Sequence, residues 1–75
     1  MTTDDAMLLV RGELGRARGE FGPFQSTHEG YAVILEELDE LWEAIRSKDA
    51  TAPQQRALEA SHVAAMAVRF LTDLC

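Results

Sequence analysis

The sequence predicts an all-α fold: a helical hairpin with a preceding helix, oligomerising into a helical bundle. Three observations predict it. Apolar residues recur at three- and four-residue spacing over three segments, and capping or breaking residues fall between those segments. No stretch of useful length alternates apolar and polar residues as a half-buried strand does. The third observation is size. Seventy-five residues make a single domain, 1–75, and a chain this short buries only roughly 60% of its unfolded surface. One cysteine provides neither a disulfide framework nor a cysteine-based zinc site, which leaves oligomerisation as the expected remedy.

The first helix is expected from Asp4 to Arg18, capped by Thr3 or Asp4, with Met7, Leu8, Val10, Arg11 and Leu14 along its apolar stripe. Gly12 and Gly15 weaken it by up to about 1 kcal/mol each, and Gly19, Gly22 and Pro23 end it. Phe21 and Phe24 flank that turn and are expected to plug the core. Ser26-Thr27-His28-Glu29 has the capping-box pattern and opens a second helix that runs to about Ser47. Residues 48–53 form a polar turn. Thr51, with Gln54 three residues on and Pro53 in the first turn, opens a third helix that continues towards Leu74. The short connection makes the second and third helices an antiparallel pair.

Composition excludes several partners. The net charge is −6, opposite to that of a protein that binds nucleic acid or an anionic membrane through Lys and Arg. No apolar run reaches the 18 or more residues of a membrane span. The opening residues, Met1 to Asp5, are acidic where a signal peptide is basic, so the expected location is cytoplasmic. An acidic protein can still bind a polyphosphate if a cation lies between the two.

The second helix contains the densest chemistry. On a helical wheel Tyr31, Ile34, Leu35, Leu38, Leu41, Trp42 and Ile45 share one broad face, the expected core or subunit interface. Glu29, Glu36, Glu40 and Glu43 lie opposite, as an ordinary solvated face does. Glu37 falls beside Val33 and Leu41, at the border of the apolar stripe. On the third helix Ser61, His62, Arg69, Thr72 and Asp73 make a polar side, while Glu59 lies at the apolar edge with Val63, Met66 and Phe70. A carboxylate there is costly unless paired or coordinated. Alanines at 57, 60, 64, 65 and 67 keep this helix thin and let a neighbour approach. Carboxylates converging across a helix pair are how bundles build metal sites, and oxygen ligands select a hard cation such as Mg²⁺ or Mn²⁺.

Glu36-Glu37-x-x-Glu40, 18 intervening residues, then Glu59 resembles the E-E-x-x-E … E-x-x-D signature of the MazG-like all-α nucleoside triphosphate pyrophosphatases. Ser26-x-His28-Glu29-Gly30-Tyr31 before the first motif, and Ala64-Ala65-Met66-Ala67 with Arg69-Phe70 after the second, are similar too. The resemblance spans roughly residues 8–74. It implies Mg²⁺ ligands at Glu36, Glu37, Glu40 and Glu59, with Glu36 or Glu37 as the carboxylate that orients or deprotonates water. The family's final Asp falls on His62, a departure that leaves three roles open: a ligand better suited to Mn²⁺, a substrate contact, or a solvated side chain. The activity implied is hydrolysis of an NTP or dNTP to the monophosphate and pyrophosphate, by a homodimer or homotetramer. Arg46, Lys48, Arg56 and Arg69 are the candidate phosphate-binding cations, although for each a solvated surface charge is the plainer expectation. The competing expectations are a non-catalytic oligomerisation or adaptor module with a degenerate metal site, and a bundle that holds a divalent ion structurally. No Gly-rich phosphate loop, Ser-His-Asp arrangement or cysteine nucleophile is visible.

Overall fold

The computed structural model describes all residues from Met1 to Cys75, as three α-helices without strands. Helix α1 spans Thr3–Glu20, α2 spans Thr27–Arg46 and α3 spans Ala52–Leu74. None is long and apolar enough to cross a membrane.

The local signals explain most of the boundaries. Thr2 caps α1 in a full capping box, its hydroxyl accepting from Asp5 N while Asp5 accepts from Thr2 N. The cap therefore lies earlier than the expected Thr3 or Asp4, and the helix passes through Gly19 before stopping at Glu20. Ser26 caps α2 by accepting from Glu29 N at 3.1 Å. Glu29 reaches back to Gln25 N rather than to Ser26, so only half of the expected box forms. At α3 the expected box is absent. Thr51 gives its hydroxyl to Asp49 instead, and Asp49 organises the turn by accepting from Thr51 N as well.

Helix α3 is the central element, packed against both other helices, which do not pack on each other. Gly30 near the start of α2 lies against Phe70 and Leu74 near the end of α3, while Glu37 meets His62, so the pair is antiparallel. An added Cβ at Gly30 would stand 2.6 Å from the Phe70 ring. Glycine there lets the two backbones close. Helix α1 runs alongside α3 in the other sense: Glu13 meets His62, and Arg18 donates to Thr72 at 2.9 Å.

The packing divides the broad apolar face of α2 and buries an arginine expected at the surface. Helix α2 packs on α3 through Gly30, Val33, Ile34, Glu37, Leu41 and Ala44, all buried or half-buried. The more apolar stripe beside it, Tyr31, Leu35, Leu38, Trp42 and Ile45, is left exposed. Small residues at both ends of the chosen face allow close approach, and that face sets Glu37 over α3. On α3, much of the polar side lies under α1 and the α1–α2 connection. Ser61 and Arg69 are buried there, and Asp73 accepts from Phe24 N at 3.0 Å. The core consists of Ala17, Phe24, Ala65 and Met66, with Val10, Leu14, Val33, Ile34, Phe70 and Leu74 against it. Phe24 plugs this core as expected, but Phe21 is exposed. No large side chain is completely buried.

Candidate metal centre

Glu37 and Glu40 stand three residues apart on α2, as Glu59 and His62 do on α3. Antiparallel packing brings the two pairs face to face. The four side chains offer ligand atoms that all lie within 4.8 Å of one another. His62 is at the centre. Its Nδ1 is 3.1 Å from Glu59 Oε2 and 3.3 Å from Glu37 Oε2, and its Nε2 is 2.8 Å from Glu13 Oε2.

Each carboxylate is held differently. Glu59 is buried, and its Oε1 accepts from Gln55 Nε2 at 2.7 Å while Oε2 faces the histidine. Glu37 Oε2 is shielded from water and has no hydrogen-bond partner, its approach to His62 notwithstanding. Glu40 is exposed as a residue. Even so, partial desolvation of its carboxyl, followed by the charges of Glu37 and Glu59, pushes its pKa up to about 7.

A buried carboxylate oxygen without a donor, beside two more carboxylates, is an unmet demand for positive charge. Three carboxylates and one imidazole nitrogen fit a divalent cation, by the chemistry of the donors and by the orphaned Glu37 oxygen.

Beside this group lies a cavity of about 580 Å³ between the α1–α2 connection and the α2–α3 seam. Phe24, Val33 and Met66 make its apolar lining, and Phe21 stands at its exposed edge. Arg16, Arg69, Glu29, Glu36 and Glu37 add the charge. Glu37 belongs to both cavity and metal group and joins them.

The sequence-derived site residues thus separate into groups. Glu37, Glu40, Glu59 and His62 are brought together. Glu36 is not among them: it is exposed on the cavity wall. Arg69 lines the cavity, but it is no solvated surface charge. It is buried, stacks over Phe24 at 4.2 Å from the ring centroid, and donates to Gly22 O at 2.8 Å. Arg46, Lys48 and Arg56 are exposed and line no part of the cavity, and Arg46 pairs with Glu43 and stacks on Trp42.

Sequence reasoning missed Glu13 and Arg16. Glu13 is half-buried and meets His62, and Arg16 donates to Glu13 at 3.0 Å and to Glu20 at 2.7 Å. The hydrogen bond to Glu13, with further help from Glu20 and Glu37, raises the Arg16 pKa. No family model, curated protein or solved structure matches the chain.

Proposed function

We propose that the chain is a metal-dependent nucleoside triphosphate pyrophosphohydrolase, cleaving an NTP or dNTP to the monophosphate and pyrophosphate. The observation that carries this reading is the junction of an unpartnered, buried Glu37 oxygen with a nucleotide-sized cavity. Glu37, Glu40, Glu59 and His62 would hold Mg²⁺ or Mn²⁺. When bound, the cation supplies neutralisation of the polyphosphate charge and raises the acidity of water beside it.

The chain's own groups do the rest. Glu37 also lines the cavity, its side chain 22% exposed although Oε2 is enclosed, and can accept a proton there from an attacking water. Glu36 and Glu29 are the other carboxylates that line the cavity. Phe21, at the exposed edge of the cavity, offers aromatic surface for a base. Arg16 lines the cavity with its side chain half exposed, which makes it a better phosphate contact than the exposed cations at the α2–α3 turn.

A second copy of the chain is the expected partner. Tyr31, Leu35, Leu38, Trp42 and Ile45 repeat at four- and three-residue steps, the spacing by which one helix seats on another like it. They are between 43% and 59% exposed, on a chain that completely buries no large side chain. Homodimerisation, or pairing of dimers into a tetramer, covers this stripe.

The test is incubation of the purified protein with canonical and modified nucleotides plus Mg²⁺ or Mn²⁺, with pyrophosphate and monophosphate measured. Turnover lost by more than about 100-fold in both Glu37→Gln and Glu59→Gln supports the reading, since such a loss exceeds what an outer-shell partner costs. A folded oligomer that releases nothing with any nucleotide or metal favours the adaptor module instead.

A further inference from the structure

We propose that the end of the cavity at the α1–α2 connection is a nucleobase subsite that selects bases with an exocyclic amino group over uracil and thymine, and that Glu29 reads that group. The inference deepens the pyrophosphohydrolase reading above and rests on it.

Glu29, Val33 and Glu36 line the cavity from successive turns of α2. Seven residues separate Glu29 from Glu36, which places them about 10 Å apart along the helix. Arg16 and Glu37 mark the end beside the metal group, where the polyphosphate belongs. A nucleotide with its α-phosphorus there reaches Glu29 with its base. Val33 is the apolar wall between the two ends, and Phe21 offers the ring a face.

The hydrogen-bonding groups at the Glu29 end decide which base fits. Every residue but proline has one backbone N–H to give. Along the connection those donors are missing or spent. Pro23 has none, Phe24 N gives to Asp73 at 3.0 Å, and Gln25 N gives to Glu29 Oε1 at 3.3 Å. Gln25 turns its amide nitrogen to Pro23 O at 3.0 Å, leaving its own Oε1 uncommitted. Buried Arg69 gives its terminal nitrogens to Met66 Sδ and Gly22 O. Glu29 keeps its second oxygen, Oε2, for a ligand. This end of the cavity therefore offers chiefly acceptors, one of them charged.

A carboxylate accepts and cannot donate. Cytosine, adenine and guanine bring it an amino group. Uracil and thymine have one N–H, set between two carbonyl oxygens that a carboxylate repels. A site whose polar groups need a donor rejects the analogue that lacks one. Glu29 is exposed, so water competes and the preference is modest, about 10-fold.

Cytidine and uridine carry no phosphate and need no metal, so they test the subsite by itself. Titration followed by amide NMR should show cytidine shifting Gln25 and Glu29 and binding about 10-fold tighter than uridine. Glu29→Gln keeps an acceptor for Gln25 N but turns the other oxygen into a donor, so the preference should vanish or reverse. With Mn²⁺, kcat/KM should favour CTP over UTP to the same extent, through KM, and Glu29→Gln should remove that difference too. Binding of neither nucleoside, equal binding of both, or a preference that survives Glu29→Gln would overturn the proposal. Equal turnover of CTP and UTP would also overturn it, while leaving the pyrophosphohydrolase reading intact. Turnover of neither, with cytidine still preferred through Glu29, would overturn that reading and support the subsite.

Discussion

The seam where α2 and α1 meet α3 contrasts with the outer stripe of α2. The seam is inward and polar: it encloses Glu59, Ser61 and Arg69 and half-buries Glu13, Glu37 and His62. The stripe is outward and apolar, with Tyr31, Leu35, Leu38, Trp42 and Ile45 all more than two-fifths exposed. A 75-residue chain folding for its own stability would do the reverse, because burying charge costs more than it returns. Both departures have a rationale if the seam is built around a cation and the stripe around a second copy.

The outer stripe gives the largest expected effect. Leu38→Lys with Trp42→Lys places two charges in the middle of the apolar row. Light scattering after size exclusion should then give the 8.3 kDa of one chain, where the wild type gives a multiple. A wild-type monomer would remove the rationale for the stripe.

In the seam the largest effect is at Arg69. Arg69→Met leaves the Gly22 carbonyl without its donor and loses the stacking on Phe24. Denaturant titration should find a loss of about 2–3 kcal/mol. Unchanged stability would place this arginine among ordinary surface charges after all.

Glu37→Gln should act in the opposite direction. Its amide can donate to a neighbouring carboxylate where the orphaned oxygen cannot, and one of three clustered charges disappears. The ion-free variant should gain about 1 kcal/mol, while losing metal binding. A gain in stability coupled to a loss of function marks a residue kept for its site.

The smallest effect is that of pH. Glu40 binds its proton more tightly in the folded chain than in the unfolded one, its pKa lying near 7 instead of 4.5. Between those values the folded state holds the extra proton, so ion-free stability falls as pH rises from about 4.5 to about 7. Solvent on the exposed side of Glu40 keeps the slope shallow. Glu40→Gln should flatten it, as thermal melts across that range would detect.

How far the sequence revealed these regions depended on how local their causes are. The three helices and the Ser26 cap follow from capping residues and periodicity within a few positions. Glu59 announced itself because a carboxylate in an apolar row needs a partner, and it has one. Helix rotation was not legible. The wheel favoured the stripe with the most apolar residues, but Gly30 and Ala44 permit closer contact along the stripe that carries Glu37. Arg69 looked solvated, and nothing near Asp73 signalled a partner, because Gly22 and Phe24 lie almost fifty positions away. Glu13 was invisible for the same reason: nothing in α1 signals that it will lie along α3 at His62.

The central claim is that Glu37, Glu40, Glu59 and His62 together hold a divalent cation, and thermal unfolding with and without Mn²⁺ tests it most directly. At about a hundredfold excess over Kd, binding to the folded state adds about 2.7 kcal/mol, which raises the Tm of a small domain by roughly 10 °C or more. The wild type should show that rise, and Glu59→Gln should melt at the same temperature with or without the ion. A wild type indifferent to Mn²⁺, or a Glu59→Gln variant stabilised just as strongly, would contradict the account.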